Sequence, residues 1–367
     1  MNKFENNIFG LVNEAEWLDV GTVVTRQNDP IDGLFGDVRT ESIVAQWQTI
    51  ADEFQTPVMA QFHGFDTEAK TTFRAPIDTH NVEKGLIKVK INQSERLREL
   101  QKTGVVQNQA LYDYVLNDGI RLADQVVTRT KVAKNELLSS GVITIKENNL
   151  DLTVDYGVPS ANTAFTLDLS DGADVAGQLQ EIIDASLDLG LTIDTMVTSR
   201  KNIAKMRRNP QLQVDVNGTL GAGALISQSS LEAYLASEFG ITRVITNDLT
   251  YGADETIGTD GRPVITRERY FPSNKITFVA STNGRVGMGL WGDPPEVSAS
   301  RYFDEVSSDR FVYITQWAEK DPAVTWTKAS GLFIPMVYNP NSLFIATVTE
   351  SEETTDGETT GGETTGN

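Results

Sequence analysis

The 367-residue chain carries 31 Lys and Arg against 51 Asp and Glu, a formal net charge of −20, with 39% hydrophobic residues and no cysteine. That charge excludes a protein whose main task is to grip nucleic-acid phosphates, because such affinity comes largely from counterions displaced by Lys and Arg; a surface that lies beside DNA without sticking to it stays open. The missing thiols exclude a disulfide framework, a thiolate nucleophile and a Cys-based zinc site, and they fit a reducing compartment.

The opening "MNKFENNIFGLVNEAEW" lacks a basic start followed by an apolar stretch, so no signal peptide is expected. Residues 1–47 read as an extended arm with apolar anchors, Phe9, Leu11, Trp17, Val23, Val24, Leu34 and Phe35, that want another surface. In residues 48–92 the strand-like pieces "TPVMAQF" and "KTTFRAPI" flank a Gly/Asp/Thr-rich bend, "HGFDTEA". A long two-stranded excursion follows from that pattern, and because an isolated hairpin is marginal in water it too needs a neighbour.

From about residue 108 to 140 the chain has no Pro, and its apolar residues recur as triplets: Leu111, Val115, Leu116; Leu122, Val126, Val127; Ala133, Leu137, Leu138. Each triplet lies eleven residues after the last, about 3.67 residues per turn, so one stripe runs nearly straight along an undistorted helix. A coiled coil would need 3.5. The rod, roughly 45 Å long at about 1.5 Å per residue, is expected to lie across another layer of its own chain.

Next, "VITIKENN" and "LDLTVDYG" form a hairpin turning at Asn148 and Asn149. Compact α/β alternation begins near Ser170. "DGADVAGQLQEIIDASLDLG" puts Val175, Leu179, Ile182 and Ile183 on one helical face behind a capping Asp or Ser. A buried strand, "IDTMVTS", precedes a short helix, "RKNIAKMRRNP", expected to stop at Pro210, and "LQVDV" then reads as strand-like. The helix "ISQSSLEAYLASEFG" should end on Gly240 as a left-handed cap. Strands follow in "RVITNDLTY", "RYFPSNKITFVAS", "RVGMGLWGD" and the β-branched and aromatic stretch 310–349, whose most apolar part is too broken by Pro and polar residues to span a membrane. Residues 350–367, with six acids, no base and a repeated "GETTG", form a low-complexity tail expected to be disordered.

No nucleophile elbow, H-E-x-x-H or P-loop pattern occurs. "NGTLGAG" has the wrong glycine spacing for a nucleotide and reads as a flexible loop; the acids of "YGADETIGTDGRP" lack the alternating ligands of a calcium loop and read as a turn. His63 and His80 stand seventeen residues apart without metal-ligand spacing, as ordinary surface or interface residues. Arg200, Lys201, Lys205, Arg207 and Arg208 put five positive charges within nine residues. Without interleaved aromatics they suit an acidic face of a neighbouring copy better than nucleic acid. No catalytic, cofactor or metal site is expected, although an acidic intracellular hydrolase working with paired carboxylates is the rival from another class.

The order of pieces, with "TFRAPIDTHNVEKGLIKVKI", "RTKVAKNELLSSGVITIKENN" and "DPAVTWTKASGLFIPMVYNPNSLFIATV", resembles the lambda-like E family of tailed-bacteriophage major capsid proteins, of the Hong Kong 97 type. The resemblance implies an α+β fold: arm 1–47, extended loop 48–92, peripheral domain 93–159 and 298–349 with a spine helix over 108–140, inserted axial domain 160–297, and tail 350–367. It implies self-assembly through hexamers and pentamers into an icosahedral shell around packaged double-stranded DNA, and no enzyme. The implied partners are other copies, a portal protein, a scaffolding protein and a decoration protein, with DNA only in non-specific proximity and no membrane. The place is the virion, assembled in the bacterial host cytoplasm. Candidate inter-subunit contacts are Trp17, Phe35, Phe62, His63, Lys70, Phe73, Arg74 and the five cations Arg200 to Arg208. The Lys–Asn cross-link of some relatives is not expected from Lys70 or Lys84. A tail tube subunit is the rival within phage structural proteins, and such chains are usually shorter and lack the long helix.

Overall fold

The computed structural model describes residues 29–50, 59–60, 62–63, 65, 68, 74, 77–93, 108–147, 150–219, 223–257, 263–298, 305–309, 311–320 and 324–349. A 3-10 turn at Asp32–Leu34 leads into β1 (Phe35–Arg39). Then β2 (Val44–Ile50) and β3 (Ile77–Glu83) pair antiparallel as the base of the extended loop, and β4 (Gly85–Gln93) follows. The long helix α1 (Asn108–Ser140) precedes the hairpin of β5 (Val142–Glu147) and β6 (Leu150–Asp155). An α/β stretch runs through α2 (Ser160–Thr163), β7 (Phe165–Asp168), α3 (Val175–Asp188) and β8 (Thr195–Thr198). It continues with α4 (Arg200–Met206), α5 (Pro210–Asn217), α6 (Gln228–Phe239) and β9 (Arg243–Thr246). A second hairpin, β10 (Thr250–Ile257) and β11 (Pro263–Arg269), leads to β12 (Lys275–Val279), β13 (Gly287–Gly292) and α7 (Pro295–Ser298). The strands β14 (Glu305–Asp309), β15 (Val312–Ala318), β16 (Thr325–Val337) and β17 (Leu343–Thr349) complete the chain.

Two sheets share α1. The first runs β1-β13-β16-β15-β14, with β4 also on β16; the second runs β7-β17-β12-β8-β9. The stripe read from the sequence is why α1 can serve both. Leu122, Val126, Ala133, Leu137 and Leu138 are buried and Val127 is half-buried, in one cluster with Ala329 and Phe333 of β16 and Val279 and Leu343 of the second sheet. Gly331 of β16 lets the helix come close, since a Cβ there would stand 3.0 Å from Val126 Cγ1. The helix stops at Gly141, whose φ of 74° suits glycine and whose N–H returns to Leu137 O at 2.8 Å.

On the opposite face of the second sheet, Val175, Leu179 and Ile182 of α3 meet Ile203, Leu231 and Phe278 in a separate core. Asp174 caps α3 through Gly177 N, Ser199 caps α4 through Asn202 N, and Ser227 caps α6, which ends on left-handed Gly240.

Two readings are corrected here. "LQVDV" is helical: Asn209 accepts from Gln211 N and Leu212 N while Pro210 takes the first helical position, where its missing N–H costs nothing, so this proline starts α5. The division at residues 297 and 298 does not follow the sheets either. β13 belongs to the first sheet, whereas the last strand, β17, lies between β7 and β12 in the second. Strand-rich runs announce strands, not their sheet.

Candidate assembly surfaces

The leading segment is tied down from Asp29 onward. Asp29, 4% exposed, accepts from Ile31 N at 3.0 Å, Asn135 Nδ2 at 3.1 Å and Asn247 Nδ2 at 3.1 Å, and Asn247 also donates to Asn135 Oδ1 at 2.9 Å. Burial raises the Asp29 pKa above its ordinary value, against the lowering effect of the Ile31 N–H. Next to it, Lys134 of α1 reaches Asp32 at 3.3 Å and Asp37 at 3.0 Å. Phe35 lies in this same core, 4% exposed, with the Lys134 ammonium 6.0 Å from its ring. Phe35 and Leu34 are therefore satisfied within the chain, and the expectation that they wait for another surface is corrected: β1 is an edge strand pairing parallel with β13, and Phe35 at its start is buried while Val38 is exposed. Phe9, Leu11, Trp17, Val23 and Val24 lie outside the described residues.

The extended loop is anchored at its base. Trp47 stacks on His80 at 5.4 Å and on Tyr156 at 6.0 Å, so His80 belongs to the chain's own packing. Lys84, 3% exposed, donates to Thr40 O, Ser42 O, Trp291 O and Thr40 Oγ1, and burial lowers its pKa. An amine enclosed by four oxygens is held for structure. Between the two strands the exposure reverses: Met59, Phe62 and Phe65 are 85%, 106% and 102% exposed, and His63 and Arg74 are exposed as well. Three large apolar side chains within seven residues are all in water, an exposure that costs free energy until something covers it. Met59 and Phe65 were not among the expected contacts, yet their signal was present as apolar residues beside and within the Gly/Asp bend. Lys70 and Phe73 lie outside the described residues.

The five cations gather on and just after α4. Arg200, Lys201 and Arg208 are exposed, whereas Lys205 and Arg207 are half-buried, and Arg207 Nε donates to Ile226 O at 2.6 Å. Arg200 lies 3.9 Å from Asp248, which also holds Arg269 at 2.7 Å.

Between α1, β5 and the β10–β11 hairpin runs an open groove lined by Arg129, Glu136, Glu147, Tyr251 and Glu268. Its charges are used locally: Arg129 pairs with Glu147 at 3.1 Å, Glu136 accepts Thr144 N at 2.8 Å, and Tyr251 donates to Glu268 at 2.9 Å. Among the described residues no group of three His, Asp or Glu side chains is placed to hold a metal ion, and no helix is long and apolar enough to cross a membrane.

The family model described as phage major capsid protein E matches residues 55–348. The chain belongs to the phage major capsid protein E family. No curated protein matches it. Among solved structures it is similar to a protein described as the capsid protein of a prophage of E. coli CFT073. That match has 12% identity and a TM-score of 0.52, over 92% of this chain and 99% of that one. It is also similar to the capsid subunit of cyanophage A-1(L), with 13% identity and a TM-score of 0.50, over 87% of this chain and 92% of that one. These likenesses show the fold, the α+β Hong Kong 97 type. A phage major capsid protein is a virion structural protein that assembles with copies of itself.

Proposed function

We propose that this chain forms hexamers and pentamers that close into an icosahedral shell around packaged double-stranded DNA, without catalysing a reaction. The observation that carries the reading is the exposure of Met59, Phe62 and Phe65 on a loop whose base is packed within the chain, in a chain of this family. A subunit keeps such side chains only if sister molecules cover them, and around a closed ring each modest contact is reinforced by high effective concentration. In the same frame, the first sheet with α1 is the peripheral unit and the second sheet with α2 to α6 the axial one. Trp17, Phe62, His63, Lys70, Phe73 and Arg74 meet neighbouring copies, and the cations of α4 meet carboxylates. The net charge of −20 makes a wall along which DNA moves without adhering. Assembly takes place in the bacterial host cytoplasm with a scaffolding and a portal protein, and a decoration protein adds to the finished surface.

Expression of the full chain with its scaffolding protein, followed by electron microscopy, tests this. Round shells with sixfold and fivefold capsomers are expected; tubes, or subunits that stay dispersed at every concentration, would refute it.

A further inference from the structure

Three oxygens on one face of the first sheet are buried with no hydrogen-bond partner among the described residues: Glu296 Oε2, Thr315 Oγ1 and Ser330 Oγ. Thr315 and Ser330 are fully buried, and the Glu296 side chain is 5% exposed. The strand register brings them together. Thr315 of β15 lies opposite Lys328 of β16, and Ser330, two residues along, lies opposite Tyr313 of β15 and Lys88 of β4. Residues directly opposite, and residues two apart on one strand, share a face. Thr315, Lys328, Ser330 and Lys88 therefore project on one side, while Ile314 and Ala329 point into the α1 core on the other. Glu296 comes down on them from α7, which packs on β15. Its Oε1 lies 2.6 Å from Lys328 Nζ and 4.0 Å from Lys88 Nζ. Ser330 neighbours both lysines, so a carboxylate within reach of both hangs over Ser330, one diagonal step from Thr315. Diagonal neighbours have Cα atoms about 7 to 8 Å apart, a separation that two hydrogen bonds through one small molecule bridge.

We propose that a single buried water molecule binds here, held by Glu296 Oε2, Thr315 Oγ1 and Ser330 Oγ, and pins α7 to the first sheet. An anion would face the Glu296 carboxylate, and a cation would stand beside two ammonium groups drawn to that same carboxylate. What fits is a neutral molecule with hydrogens to give and a lone pair to accept, and the burial of all three oxygens limits it to the size of water. The water donates to Glu296 Oε2 and to one hydroxyl and accepts from the other. Both oxygens of the carboxylate then have a partner, Lys328 on one and the water on the other. The site lies within one subunit and does not depend on shell closure.

A density map of the full chain, at a resolution that shows ordered waters, tests the site directly. A peak about 2.8 Å from each of the three oxygens is expected. Contacts near 2.3 Å, the spacing of a metal ion, would overturn the proposal, and so would no peak at all. Stability supplies an independent sign. Thr315→Val keeps the side-chain shape but removes one partner of the water, and should lower the folding constant about tenfold in urea unfolding. Ser330→Ala should cost less in the Thr315→Val background than alone, because both hydroxyls hold one molecule. Around a hydroxyl that truly had no partner, Thr315→Val would leave the midpoint unchanged or raise it; that result, or full additivity of the two substitutions, refutes the proposal.

Discussion

Val126 is where the division between core and assembly surface can be measured. It is fully buried on α1, facing Gly331 of β16, in the cluster that holds Leu122, Trp291 and Ala329. Val126→Ala removes two methyl groups, about 1.6 kcal/mol of transfer free energy at about 0.8 kcal/mol per buried carbon. Gly331, facing it, has no side chain of its own to fill the space. A residual cavity of about 40 Å³ adds about 1 kcal/mol, for a total of about 2 to 3 kcal/mol. Val126→Asp places an unpaired carboxylate in the same spot and costs on the order of 5 kcal/mol or more, comparable with the whole stability of a domain. The assay is urea unfolding of the unassembled subunit, with the slope checked for constancy so that a shifted midpoint reads as stability. Phe62→Asp, at a fully exposed side chain, is the comparison: its midpoint should match wild type while shell yield collapses. Should Val126→Asp fold normally, or Phe62→Asp destabilise the subunit as much as Val126→Ala, the assignment of inside and outside would be wrong.

Three further outcomes follow from named contacts. Burial would raise the Glu296 pKa, but the hydrogen bond from Lys328 at 2.6 Å, backed by Lys88, leaves it below its ordinary 4.5. Stability from Glu296 is thus complete above about pH 4.5 and lost as the pH falls through the lowered folded value, and Glu296→Gln should flatten that acid slope in urea midpoints taken from about pH 6 to about pH 3. For Lys84, with its pKa lowered by burial, the sign reverses: wild type should gain stability as pH rises from the folded value toward the ordinary 10.5, and Lys84→Met should lack that gain in parallel alkaline unfolding curves. At Gly287 an added Cβ would fall 1.8 Å from Met336 O, so Gly287→Ala must push β13 off β16 and should cost about 3 kcal/mol, read as a lowered denaturation midpoint.

Much of the architecture was legible because it is periodic. Leu122 to Leu138 repeat at a helical interval and are buried as that interval demands; Asp174, Ser227 and Gly240 are punctuation whose chemistry is local. Contacts distant in sequence were not legible. Asp29, Asn135 and Asn247 meet across separations of more than a hundred residues, and no local pattern marks three ordinary polar side chains as one buried network. Phe35 misled for a related reason, since an apolar residue in an arm and one in an edge strand look alike until the partner strand, here β13, is known. Pro210 misled because proline both ends and begins helices, and the distinction rests on Asn209 before it. The sequence pointed to the loop for contacts with other copies, and among its described residues Met59, Phe62 and Phe65 are the most exposed large apolar side chains.

The placement of β17 between β7 and β12, together with β16 within the first sheet, bears on how the polypeptide is made. Each sheet needs a strand from beyond residue 324, β16 in one and β17 in the other, so neither can close before those residues are made, and the closing contacts span high sequence separations, which form slowly. A product cut off before Thr325 would lack β16, which joins β4, β13 and β15, and β17, which joins β7 and β12, and would leave both sheets open.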